Sequence, residues 1–207
     1  MKIVMFSINP IYQGFVTGGA SKHLFHISKY FSASGHEVII LCTKGESQSE
    51  PFSWQPNVKV IPILNFKQPF PGPYNISPGD LAYIAETVSA YLSKADRFYM
   101  HDGELLLPFL HNDIPTVISY RDNTYPESIL GSFISAADAI IAVSDYSASV
   151  LRATMGRLFP DIQGRIKVIN NGIDPGQFYE KSYKELLPLI PIDPIADRII
   201  LHPHRPE

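Results

Sequence analysis

Several groups of side chains in this sequence have the chemistry to bind or transform a ligand. Gly18–Gly19 stand in front of an amphipathic helical pattern. Glycines there let backbone approach a ligand, and the free N–H groups of a helix start attract phosphate. The same pair also serves as a turn needed only to enter the helix. It does not fit the dinucleotide fingerprint glycine-x-glycine-x-x-glycine, because the loop is too long and the spacing differs. His101–Asp102–Gly103–Glu104 follow a strand-like run. Ligands of open α/β sheets bind at the carboxyl ends of strands, and an imidazole with carboxylates can hydrogen-bond hydroxyl groups. Asp102 and Glu104 equally suit a helix N-terminus. Arg121–Asp122 follow another strand-like run. Arg121 stays protonated and cannot be a base, but it can grip a phosphate or carboxylate in bidentate fashion. Asp122 offers a polar or basic group beside it. A plain surface ion pair, worth little, explains the two residues as well. Ser144 reads as a helix cap with its hydroxyl toward a cleft. Asn171–Gly172 reads as a turn rather than a catalytic feature. His202 and His204 alternate on one strand face, but two histidines do not make a metal site, and no metal is expected.

These residues need a scaffold, and the bulk properties allow one. The 207 residues, 45% of them apolar, suffice for a full core in one domain or one domain with a tail. A net charge of −3 with mixed signs argues against nucleic-acid binding. Cys42 is the sole cysteine, which suits a reducing cytoplasm and precludes an intrachain disulfide. The apolar run after Lys2 is too short for a secretory leader. No stretch approaches the roughly 18 apolar residues that span a bilayer. A cytoplasmic protein is expected, and peripheral membrane contact is compatible with it.

Buried-strand runs at Lys2–Ile8, Val38–Leu41, Arg97–Met100, Thr116–Tyr120, Ala139–Val143 and Ile166–Ile169 alternate with helical patterns. The first helix has Leu24, Ile27 and Phe31 on one face and a left-handed stop at Gly35. The second starts at Ser77–Pro78 and shows Leu81, Ile84, Ala85, Val88 and Leu92 on one face. A short helical segment is expected near Glu104–Leu110, a helix over Pro126–Ser135, and another from Ser144 to about Thr154. The stretch Pro51–Pro78 reads as a long aromatic loop holding one strand, Val58–Ile63. Its aromatic residues either cover a ligand or anchor the loop. Alternation of strand and helix predicts an α/β, Rossmann-like three-layer sandwich with a mainly parallel sheet. Its domain is placed at residues 1–187. Residues 188–207 are read as a proline-rich linker and the first strand, Arg198–His202, of a further domain.

Four segments together resemble glycosyltransferase family 4, the retaining enzymes of GT-B fold. They are Gly18–Gly19–Ala20 with Gly35–His36–Glu37–Val38; Ala136–Ala137–Asp138–Ala139–Ile140–Ile141–Ala142–Val143–Ser144; Arg165–Ile166–Lys167–Val168–Ile169–Asn170–Asn171–Gly172–Ile173–Asp174 with Phe178; and Ile199–Ile200–Leu201–His202–Pro203–His204–Arg205. The resemblance covers nearly the whole chain in the expected order. It implies an N-terminal acceptor-side lobe and a missing C-terminal lobe that holds the nucleotide-sugar donor with a glutamate pair and a lysine. It implies metal-independent hexosyl transfer to a sugar, lipid or small-molecule acceptor, with no cofactor, and an inactive isolated lobe. Gly18, Gly19 and Arg205 would meet the donor diphosphate. His101, Arg121 and Asp122 would lie at the reacting centre, and Asp102, Ser144 and Asn171 along the cleft. His36 is a packing residue in this resemblance. One departure stands out: Arg121 occupies the place where the family carries a histidine near the transferred sugar. That keeps open a non-catalytic nucleotide- or sugar-binding module of related fold. A nucleotide-sugar epimerase of the same architecture is a further alternative.

Overall fold

The computed structural model describes residues 1–16, 18–45, 47–66, 77–101, 103, 105, 107–121, 131, 133–172 and 176. The chain divides into Met1–Asn171 and Gly172–Glu207. Of the second part only Gly172 and Gly176 are described, so the expected linker, the strand Arg198–His202, His202, His204 and Arg205 lie outside the described residues.

The strands are β1 (Lys2–Ser7), β2 (Glu37–Thr43), β3 (Phe52–Gln55), β4 (Val58–Leu64), β5 (Arg97–His101), β6 (Thr116–Tyr120), β7 (Ala139–Ala142) and β8 (Ile166–Val168). The helices are α1 (Gly18–Ala33), α2 (Pro78–Leu92) and α3 (Asp145–Leu158), with 3-10 turns at Pro108–Leu110 and Pro160–Arg165. The strands form one eight-stranded sheet in the order β3-β4-β2-β1-β5-β6-β7-β8. Every pairing is parallel except β3 with β4.

Alternation of side chains sorts the sheet into two cores. Ile3 and Met5 of β1, Val38, Ile40 and Cys42 of β2 and Tyr99 of β5 pack with Leu24 of α1. Their neighbours Val4, Phe6, Ile39, Leu41, Phe98 and Met100 pack on the other face with Ile84 and Val88 of α2 and Leu151 and Met155 of α3. The sheet is thus a layer between helices, which is why β1 and β2 read as unbroken apolar runs. Full burial of a side chain such as Leu24 or Ile84 is worth about 1.5–3 kcal/mol.

Local signals set the helix ends. The Ser77 hydroxyl accepts from the Asp80 N–H at 3.1 Å, with Pro78 at the first helical position. At the end of α1, Gly35 takes φ 81°. The Gly35 N–H donates to the Ser32 carbonyl at 2.9 Å, and the His36 N–H to the Phe31 carbonyl at 3.0 Å. That is the paired closure of a Schellman stop. The His36 ring lies 6.0 Å from the Phe31 ring, as a residue closing that motif does.

Some elements differ from expectation. Phe52–Gln55 is an antiparallel edge strand rather than loop, turned onto β4 through Pro56 and Asn57. Asn57 has φ 56°, which asparagine tolerates in a tight turn. Residues 67–76 of the expected loop lie outside the described residues. Leu81 shares the face of Ile84, Val88 and Leu92 but is exposed, because it stands in the first turn of α2, at the end of the buried stripe. The helix from Ser144 runs past Thr154 to Leu158. Of the expected helix Pro126–Ser135, residues 131, 133 and 134 are described as helical. Near Glu104–Leu110 the described helical residues are the 3-10 turn Pro108–Leu110.

Candidate functional site

The connections leave β1 in opposite directions on its two sides: β2 flanks it on one side and β5 on the other. In open sheets of this kind ligands bind where the order reverses, at the carboxyl ends of the flanking strands, here β1 and β5. The start of α1 and the last residue of β5 both fall there.

His101 ends β5, level with Ser7 of β1 and Ser119 of β6. It is 1% exposed. Its Nε2 lies 2.9 Å from the Ala20 carbonyl oxygen, which only accepts, so Nε2 carries the proton. Its Nδ1 is left to accept from the Tyr99 hydroxyl at 3.0 Å. Burial, with Arg121 and His23 nearby, lowers its pKa to about 3, against an opposing hydrogen bond to Ala20. His101 is therefore a neutral ring fixed at both nitrogens, and it ties β5 to the first turn of α1, just beyond Gly18–Gly19.

His23 of α1 stacks on His101, with ring centroids 5.6 Å apart and planes at 17°. Arg121, directly after β6, donates from Nη1 to His23 Nε2 at 3.3 Å. Its Nη2 donates to Asn171 Oδ1 at 2.5 Å. Burial first, then the Arg121 charge and His26, lower the His23 pKa to about 4. With Nε2 accepting from arginine, the His23 proton sits on Nδ1, a buried atom without a hydrogen-bond partner. The Ser119 hydroxyl is a second such atom. Ser119 lies two residues before Arg121 and hence on the same side of the strand. Buried polar atoms of this kind point to a bound water or a ligand group.

The structure thus brings Gly18, Gly19, His101, Arg121 and Asn171 to one edge. Ser144 stands on that edge beyond β7; its hydroxyl accepts from the Ser147 N–H at 3.1 Å and caps α3. Asp102, Glu104 and Asp122 lie outside the described residues. Three participants were missed from sequence: His23, Tyr99 and Ser119. Each had a signal. His23 is one helical turn past Gly19, and Tyr99 and Ser119 each precede a candidate by two residues on a strand.

A family model described as Glycosyltransferase Family 4 matches residues 17–177. The chain belongs to glycosyltransferase family 4. No curated protein sequence matches it. Among solved structures it is similar to two of sucrose-phosphate synthase from Thermosynechococcus elongatus. One is 15% identical with a TM-score of 0.56, covering 84% of this chain and 91% of that one. The other is 15% identical with a TM-score of 0.62, covering 92% of this chain and 53% of that one. At such identity the likeness is one of fold. The chain spans about half the length of the longer structure. In this family 4 chain the position after β6 is filled by an arginine held between a histidine and an asparagine. Among the described residues no three His, Cys, Asp or Glu side chains gather as a metal ion would need. None of the described helices is long and apolar enough to cross a membrane.

Proposed function

We propose that this family 4 chain is the acceptor-side lobe of a nucleotide-sugar-dependent, retaining glycosyltransferase, and that the lobe does not turn over alone. The donor is a hexosyl nucleotide, and the acceptor a carbohydrate, lipid or small molecule. The observation that supports the reading best is the meeting of the α1 start, His101, His23, Arg121 and Asn171 at the topological switch of the sheet.

The roles follow from charge. Departure of a nucleoside diphosphate builds negative charge, and fixed donors aimed at it lower the barrier. Gly18 and Gly19 supply backbone at the positive end of α1. Arg205 is assigned a second charge on the same diphosphate. Arg121 is a cation in the described site, held in a fork that suits anionic oxygens. The two histidines are neutral at physiological pH and add no charge. His101 is accordingly a positioning residue: it fixes the first turn of α1 against β5. Asp102, Asp122 and Ser144 remain proposed cleft residues, and transfer is proposed to need neither metal nor cofactor.

The test is release of nucleoside diphosphate by the full-length protein from a panel of nucleotide sugars, with and without acceptors. Transfer with retained anomeric configuration supports the reading. Binding without turnover favours the non-catalytic module, to which the arginine in place of histidine lends weight. A changed sugar with donor alone indicates an epimerase. Neither binding nor turnover sinks all three.

A further inference from the structure

The loop from Ile8 to Val16 joins β1 to α1 and is anchored along its length. The Thr43 hydroxyl donates to the Ile8 carbonyl. Ile11 is buried in the α1-side core. The Gln13 N–H donates to the Gln48 side-chain oxygen at 3.4 Å. Gln48 in turn bridges Gly45, with the Gly45 N–H donating to its carbonyl at 3.0 Å.

This base carries two aromatic rings, Tyr12 and Phe15. Tyr12 rests on Gly45 so closely that a Cβ there would sit 2.8 Å from Tyr12 Cε1. Phe15 stacks on Tyr12, with centroids 5.0 Å apart and planes at 10°. Gly14, at φ 89°, makes the bend that folds Phe15 back. Phe15 is nevertheless 55% exposed and Val16 40%. Phe15 meets Tyr12 in this stack and still presents more than half of its surface to solvent. An aromatic ring braced by a neighbour and left largely exposed is preorganised for contact, at little entropic cost to a ligand.

We propose that the Tyr12–Phe15 stack is a platform for a pyranose ring of a saccharide acceptor, an inference that rests on the glycosyltransferase reading. The loop belongs to the carboxyl edge of the sheet and leads straight into Gly18–Gly19. A pyranose has a flat C–H face that matches a bare ring and outward hydroxyls that suit polar neighbours. The exposed Gln13 lies in the same turn, and Gln48 beneath it. A flat uncharged ring sets stacking geometry rather than charge recognition, so Phe15 would select for sugar ring shape while Arg121 would read anionic groups.

The test uses the 207-residue chain with methyl α-D-glucopyranoside and methyl α-D-mannopyranoside in saturation-transfer NMR. Saturating the aromatic protons should reach the ring C–H protons of at least one pyranoside. Phe15→Ala should weaken that binding about tenfold or more, and Phe15→Trp should keep it. Gly45→Ala should weaken it as well, because the new methyl displaces Tyr12 without touching Phe15. Absence of binding by the wild type, or equal binding by Phe15→Ala, overturns the proposal. So does Phe15-dependent binding of phosphatidylcholine vesicles or uridine in place of the pyranosides. Release of nucleoside diphosphate from nucleotide sugars is read separately by the full-length protein. The platform and the glycosyltransferase reading can therefore each fail alone.

Discussion

His101 shows how a residue chosen for its chemistry can act through its position. Its folded pKa of about 3 lies below the ordinary 6.5, chiefly through burial. Between those values the unfolded chain takes up a proton that the folded chain refuses. Stability therefore falls as pH drops from 6.5 toward 3. His101→Gln keeps one donor and one acceptor but cannot titrate. It should cost about 1–2 kcal/mol at pH 7 from poorer geometry, and the gap to the wild type should close on acidification. Urea unfolding at a series of pH values checks this, and parallel pH profiles would refute it. Arg121 offers a second test. Arg121→Ala removes a charge that depresses His23, so the His23 pKa should rise from about 4 yet stay under 6.5, because burial is the larger cause. NMR titration of the ring reads the shift. In the full-length protein the same variant should lose about a hundredfold in kcat, the usual cost of removing one donor to developing charge. The sequence showed that His101 and Arg121 stand at strand ends. It did not show that His23 joins them, since that contact depends on where the start of α1 meets the ends of β5 and β6.

At the scale of the element, caps were the most legible features. Ser77, Ser144 and Gly35 each announce a helix end by residue type alone, and each makes the expected hydrogen bonds. The short edge strand β3 was hidden because prolines at 51 and 56 bracket four residues of mixed polarity. Its Pro56–Asn57 turn is a hairpin signal that the surrounding prolines obscured. Ser144 also carries two assignments, cap and cleft hydroxyl, which substitution can separate. Ser144→Ala should destabilise the fold by about 1 kcal/mol, and Ser144→Asp should recover most of it, because a carboxylate also accepts from the Ser147 N–H. Thermal melts measure the cap. If turnover of the full-length protein falls with both variants alike, the hydroxyl is needed beyond capping.

For the whole molecule, alternation of strand and helix gave the class of fold but not the strand order. Order depends on which apolar faces meet across the sheet, and β1, β2 and β5 are nearly equivalent as apolar runs. The observed order puts β1 at the centre, between β2 and β5, with β3 and β8 at the edges. That placement fixes the switch point and with it the candidate site. It also sets a gradient of stability that can be measured. Val4, Met5, Ile40, Leu41 and Met100 are fully buried, and their strands are paired on both sides. Exchange of their amide protons requires opening both cores. β3 has one partner and four residues, and β8 one partner and three. Native-state hydrogen exchange should therefore find the slowest amides in β1, β2 and β5, near the global unfolding free energy, and much faster ones in β3 and β8. Equal protection across all eight strands would mean that the edges are covered, and would contradict this order. Slow exchange at His101 together with the second-turn amides of α1, which donate to the first-turn carbonyls, would show that the imidazole bridge holds the site as part of the central unit. Fast exchange at the second-turn amides of α1, with β5 still protected, would show that the N-terminal end of the helix opens on its own, and that His101 does not hold it.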